Sequence, residues 1–291
     1  MLSSALDQQN NISLNQAWQR LLVQLLTEGK LVAPRGLVTG EVVGNRIVFD
    51  ASRPVVTVAE RQLGYRFLCA EAAWIMDGDD RVETIAPYSK EISRFSDDGV
   101  KFFGAYGPKI LDQREYVIST LAADRSSRQA VISIWRENPP TTRDVPCTLT
   151  LQWLIRDTSL HCVASMRSSD AWLGIPYDGF NFSMLTLGLL LELRRRFPAD
   201  WSPVDLGTIT LQLGSSHLYE KNFEAALNCA VSRNYRWGNR DGLMVPDYDI
   251  TQLGSAEKLN SWNGLADHLW KRAKRVPTAV PLFSQLLETE K

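Results

Sequence analysis

The sequence predicts an α+β fold: one large sheet covered by helices, with a further helix buried at its centre. Three observations lead there. Residues 147–169, CTLTLQWLIRDTSLHCVASMRSS, alternate apolar and polar on both sides of Arg156-Asp157-Thr158, the pattern of an antiparallel hairpin. A second β-rich run, GTITLQLGSSHLY from Gly207, ends in a polar tip. Between them FNFSMLTLGLLLELRRRF, from Phe180, is apolar nearly all round until its basic last turn, which suits a helix enclosed by other elements.

The remaining elements follow in order. SLNQAWQRLLVQLLTEG, with Ser13 as N-cap and Gly29 as stop, reads as an amphipathic helix. RGLVTGEVVGNRIVFD, apolar with glycine punctuation, reads as a short hairpin. Val56 to Met76 has helical spacing throughout and is stopped by DGDD, so it is expected to form a long buried helix. Arg81 to Gly107 reads as irregular, Pro108 to Ala122 as a helix, and RQAVISIWR as a strand. EKNFEAALNCAV and LADHLWKRAKR add two short helices, and LLETEK reads as a frayed end. No internal repeat or low-complexity linker divides the chain. Residues 1–291 are therefore expected to form a single domain, with a divergent C-terminal extension from about residue 234.

Composition narrows the function classes. Thirty-two Lys+Arg against 33 Asp+Glu give a net charge of -1, so no global basic field is available for nucleic acid or a membrane surface. Any bound anion must be held by a few local arginines. No run reaches the roughly 18 to 20 apolar residues of a membrane span, and no secretory leader is readable, so a cytoplasmic protein is expected. Cys69, Cys147, Cys162 and Cys229 are scattered without a C-x-x-C, which fits free thiols rather than disulfides or a metal site.

Polar clusters interrupt the apolar framework at Arg35, at Arg128, at Cys147 and at RSSDAWLGIPYD from Arg167. Each alone has a plain structural explanation: a buried thiol, a solvated arginine, a satisfied histidine at His217, a glutamate at Glu71 facing a cavity. Their joint order changes the reading. VPC at Cys147, RSSDAWLGIPYD and GSSHLY resemble, in order and spacing, the signatures of the thymidylate synthase family. EAAW at Glu71, AYG at Tyr106 and SSRQ at Arg128 are similar to its glutamate helix, active-site tyrosine and arginine clamp. The resemblance spans about Arg35 to Phe223.

It implies a thymidylate synthase-like fold with a mixed sheet, and methylenetetrahydrofolate as co-substrate without a metal. Cys147 is then the nucleophile that adds to C6 of a pyrimidine nucleoside monophosphate, with Glu71, Tyr106 and Asp178 completing the catalytic set. A neighbouring guanidinium such as Arg167 is expected to lower the thiol pKa. Arg35, Arg128 and Arg167 suit a phosphate, Ser168 and Ser169 add hydroxyls, and His217 and Tyr219 inherit the sugar. Asp170 falls both among the nucleotide-binding residues and, with Gly174 and Trp74, at the folate. Family members are homodimers whose paired arginines reach across to the partner's site, so the resemblance implies a homodimer with Arg128 supplied across the interface. Gln129 stands where that clamp has its second arginine, and the C-terminal folate lid of the family is not readable in LLETEK.

One residue directs the substrate. Family members that act on uracil carry Asn where this chain has Asp178. An amide matches the O4 acceptor and N3–H donor of uracil, whereas cytosine reverses that edge and suits a carboxyl group. Asp178, with Thr148 after the nucleophile and the strings LIRD and MRSSD, resembles the cytidylate hydroxymethylase branch. That branch adds water to the transferred carbon, with Glu71 as the group that orders or deprotonates it, and either dCMP or CMP fits. Thymidylate synthesis on dUMP and a catalytically silent nucleotide-binding relative are the alternatives.

Overall fold

The computed structural model describes residues 12–235, 249–251, 253 and 259–276. Ser13 opens helix α1 (Leu14–Glu28) with a capping box: its hydroxyl accepts from the Gln16 N–H while the Gln16 side chain accepts from the Ser13 N–H. The apolar face of α1, with Leu14, Trp18, Leu21, Leu22 and Leu25, is buried. Strands β1 (Lys30–Val32) and β2 (Thr39–Asp50) follow, joined by a tight turn at Pro34–Gly36. The expected hairpin within residues 35–50 does not form. Its residues instead build one long strand, because β2 stays in register with β6 (Asp205–Tyr219) through Gly44, with Val43 opposite Ser215 and Asn45 opposite Leu213. Gly44 absorbs the positive φ of +68° that a side chain would resist.

Helix α2 runs only from Tyr65 to Met76, shorter than expected. The preceding residues are buried but not helical: the Thr57 backbone N–H donates to Asn15 Oδ1 at 2.8 Å, and Gln62 takes φ +48° after a single turn at Ala59–Arg61. A single turn at Val82–Ile85 and a two-turn 3-10 stretch at Lys90–Phe95 lead to helix α3 (Tyr106–Ala123), in line with the irregular stretch and helix read there. Strand β3 keeps only Val131–Ser133 of its expected length, since the Ile134 and Trp135 N–H groups both turn to the Leu149 carbonyl.

Strands β4 (Thr148–Arg156) and β5 (Ser159–Asp170) form the expected hairpin, with Asp157 left-handed at its turn (φ +52°). Helix α4 (Ile175–Arg196) then crosses to β6, which pairs with β5 in parallel; a parallel pair needs such a crossover. The sheet order is β1-β2-β6-β5-β4-β3, antiparallel except at β5/β6, so the expected mixed sheet with a central buried helix is observed. Seventeen residues of α4 are buried, among them Phe180, Phe182, Leu187 and Leu193. Each such apolar side chain contributes about 1.5–3 kcal/mol on leaving water.

Helix α5 (Phe223–Val231) packs on α1. Helix α6 (Trp262–Ala273), capped by Ser261, covers α2, and its Trp262 indole donates to the Met76 carbonyl at 2.8 Å. The predicted frayed end lies outside the described residues, and no helix among them is long and apolar enough to cross a membrane.

Candidate active site

Cys147 is half-buried immediately before β4, and the Arg167 N–H donates back to the Cys147 carbonyl at 2.9 Å. The Arg167 guanidinium is committed to the same loop. Its Nη2 donates to the Val145 carbonyl (2.8 Å), its Nε to the Pro146 carbonyl (2.9 Å), and Nη2 also reaches Cys147 Sγ at 3.8 Å. Ser168 Oγ lies 3.9 Å from the sulfur and accepts from Arg167 Nη1. The arginine acts on the thiol in the expected direction, but burial outweighs it and the Cys147 pKa is pushed up overall.

Asp178 occupies the first turn of α4 and acts on Cys147 by its charge. Burial, reinforced by the charge of Glu71, pushes its carboxyl up to about 8, while Ser169 Oγ donates to it at 3.4 Å. Glu71 faces it from α2; burial lifts this group to about 7 against a 2.8 Å hydrogen bond from Asn181 Nδ2. Tyr106 opens α3 and accepts from the Thr148 N–H at 3.2 Å. Burial drives its phenol well above the ordinary value, and the charges of Asp178 and Cys147 push in the same sense. The nucleophile, the tyrosine and the two acids therefore form one cluster whose members act on one another by charge, brought together from the start of β4 and from α3, α2 and α4.

A row of polar residues crosses three strands at the other end. In register, Asp170 on β5 stands beside His217 on β6, which stands beside Glu41 on β2. Burial lowers the pKa of His217, and the two flanking carboxylates oppose that. Burial raises Asp170, although its Oδ1 accepts the Trp172 N–H at 2.7 Å. Tyr219, two residues along β6, meets the His217 ring edge-on at 5.4 Å. Arg35, in the exposed left-handed position (φ +56°) of the β1–β2 turn, acts on His217 by its charge, as does Arg167.

Not every expected residue is gathered here. Arg128 is exposed before β3, and since Val131 pairs with Gln152 it lies toward the end of β4 remote from Cys147. Trp74 is 5% exposed and packed edge-on against Phe102, in the core rather than open to a ligand. Gly174 is required by contact: a Cβ there would lie 2.8 Å from Ser169 Oγ and 2.9 Å from the Asp170 carbonyl. Sequence reasoning missed Glu41 and Asn181. Glu41 accepts from Ser215 Oγ, and only the strand register reveals it as a neighbour of His217.

The surroundings of Asp170 suit a flat, amine-bearing ligand such as a folate. The carboxyl offers an acceptor, Leu173 beside it is an exposed apolar side chain, and Trp172 is held from behind by the Arg61 guanidinium at 4.6 Å. Among the described residues no group of three or more His, Cys, Asp or Glu could hold a metal.

A thiol facing two proton-holding acids, beside an arginine-rich end and a polar strand row, suits addition to an electron-poor ring carrying an anion. The comparison with known proteins agrees: the thymidylate synthase family profile matches residues 16–241, and the chain belongs to that family. Enzymes of this family use methylenetetrahydrofolate as co-substrate. The chain is also similar to the deoxyuridylate hydroxymethyltransferase of Bacillus phage SP01, at 28% identity over 242 residues. That match takes in 76% of this chain and 61% of the relative's length.

Proposed function

We propose that the protein is a cytidylate 5-hydroxymethylase, acting on dCMP or CMP as a single-domain homodimer in the cytoplasm, with Arg128 supplied to the partner's phosphate site. The observation that carries the base assignment is Asp178, buried with its carboxyl raised to about 8 and close enough to Cys147 to act on it by its charge. At neutral pH it holds a proton. Its O–H can donate to cytosine N3 while its carbonyl oxygen accepts from the N4 amino group, and the proton passes to N3 as the sulfur adds to C6 and N3 gains basicity. Protonating N3 draws electrons from the ring and makes C6 a better target for the sulfur.

In this mechanism Arg35, Arg167 and Ser168 hold the phosphate, and His217 and Tyr219 hold the sugar. Arg167 stabilises Cys147 as thiolate once the thiol proton has passed to solvent, and the sulfur adds to C6. Methylenetetrahydrofolate would supply the one-carbon unit to C5, which gives up its hydrogen as a proton while tetrahydrofolate leaves. Glu71, near half-ionised at neutral pH, takes the proton of the water that adds to the transferred carbon. A second reading keeps the chemistry and changes the base: the relative from phage SP01 is named for deoxyuridylate, and a protonated carboxyl can also donate to uracil O4.

The test is to incubate the protein with methylenetetrahydrofolate and each of dCMP, CMP, dUMP and UMP, and to weigh the products. Hydroxymethylated cytidylate with no dihydrofolate formed is expected. Hydroxymethylated uridylate alone would establish the second reading, and dihydrofolate with thymidylate would establish synthase activity. Asp178→Asn should move preference toward the uracil nucleotide by about 10- to 100-fold.

A further inference from the structure

The loop between β5 and α4, residues 171–174, is held at most of its backbone polar groups. The Ala171 N–H donates to the His217 carbonyl at 2.8 Å, and the Ala171 carbonyl accepts from the Trp18 indole at 2.6 Å. The Trp172 N–H meets Asp170 Oδ1 at 2.7 Å, the Gly174 N–H meets the Asp170 carbonyl, and the Trp172 carbonyl accepts from Arg61 Nη2 at 2.8 Å. Arg61 reaches this loop from the single turn at Ala59–Arg61 and is 8% exposed. Its guanidinium also lies 4.6 Å from the centre of the Trp172 ring and shares a hydrogen bond with the side chain of Tyr177, the residue before Asp178. Burial works against the charge of Arg61. Its donors and its face are turned to Trp172 and Tyr177 rather than to solvent.

We infer that Arg61 is a positioning residue for the co-substrate end of the site: through Trp172 it fixes the loop that follows Asp170, and with it the acceptor that an amine of the folate meets. The inference rests on the reading above of a folate-dependent hydroxymethylase, with Asp170 at the folate. The residue whose N–H orients the Asp170 carboxyl is the same residue whose carbonyl and ring Arg61 holds. A displacement of Trp172 therefore passes to the carboxyl across one hydrogen bond. The charge of Arg61 also favours the ionised form of Asp170, against the effect of burial. Asp178 has holds of its own, since its N–H donates to the Gly174 carbonyl at 2.9 Å and its carboxyl accepts from Ser169 Oγ. Loss of Arg61 is thus felt at the folate before it is felt at the base.

Binding measurements separate this role from a general loss of structure. The full-length protein, saturated with the accepted nucleotide, is titrated with tetrahydrofolate in a calorimeter, and the nucleotide is titrated alone. Arg61→Met, which keeps the length and removes the charge and the donors, should weaken tetrahydrofolate about tenfold and the nucleotide about twofold or less. In turnover, KM for methylenetetrahydrofolate should rise by the same factor while kcat changes less. Arg61→Lys, with a charge and a donor but no planar face, should recover part of the loss, and it provides the measurement if the methionine variant does not fold. In an Asp170→Asn background the effect of Arg61→Met should shrink to about threefold or less, because the two residues act as one unit. Unchanged tetrahydrofolate affinity in both Arg61 variants overturns the inference. So does an equal loss of nucleotide and folate affinity, which marks a purely structural role, or an undiminished tenfold loss on top of Asp170→Asn. If the unmodified protein binds no tetrahydrofolate, it is the functional reading that fails, and the inference falls with it.

Discussion

At the scale of single residues, the chemistry turns on which groups keep their protons. Glu71 and Asp178 titrate as neighbours, near 7 and 8, because each is buried and the charge of Glu71 makes ionisation of Asp178 harder. Hydroxymethylation needs Glu71 ionised and Asp178 protonated, so kcat/KM for the cytosine nucleotide should rise through about 7 and fall through about 8, a narrow bell. Asp178→Asn should abolish the basic limb. The same shift acts on stability. The folded protein keeps a proton on Asp178 up to about 8 whereas an ordinary aspartate releases it at 3.8, so wild-type stability declines as pH rises between those values. An amide cannot ionise. The Asp178→Asn variant should match the wild type near pH 4 and exceed it by about 6 kcal/mol near pH 9, measured by urea unfolding at each pH.

At the scale of elements, α4 brings Asp178 and Asn181 up to Glu71, and its start is fixed by contact with β5. The Gly174 N–H donates to the Asp170 carbonyl at 2.8 Å, and the missing side chain leaves room for Ser169 Oγ. Gly174→Ala should therefore cost about 1–3 kcal/mol and lower kcat more than thermal stability alone explains, because the first turn must move away from Ser169. Much of this element is legible in the sequence: an apolar run with a basic end reads as a buried helix, and alternation about Asp157 reads as a hairpin. Other elements are not. Val-Gly-Asn-Arg at residues 43–46 has turn composition, yet pairing with β6 overrides it. The start of α2 is hidden because Val55, Val56 and Val58 are buried as extended chain, and an apolar run has no period that separates the two cases. Within the site, the signature residues are readable by order, whereas Asn181 looks like a polar blemish in an apolar helix. Its partner lies 110 residues away.

At the scale of the whole molecule, α6 belongs to the chain beyond the family match, which ends at residue 241, yet it covers the helix that carries Glu71 and Trp74. Its Trp262 fills the space left by Gly188 of α4, where a Cβ would lie 2.8 Å from the indole. Composition past residue 234 gives no hint of that docking, since only the helical spacing is visible. Trp262→Ala should destabilise the fold by about 3–5 kcal/mol, read as a lower midpoint in chemical denaturation, with activity falling alongside. The row of Asp170, His217 and Glu41 has a different bearing on the whole. Adjacent strands are held about 4.8 Å apart by their amide ladder, so these three side chains are spaced by the backbone lattice and not by their own rotamers. A ligand lying along them is gauged against a fixed ruler, and tolerance for longer or shorter molecules has to be written into the loops at its two ends.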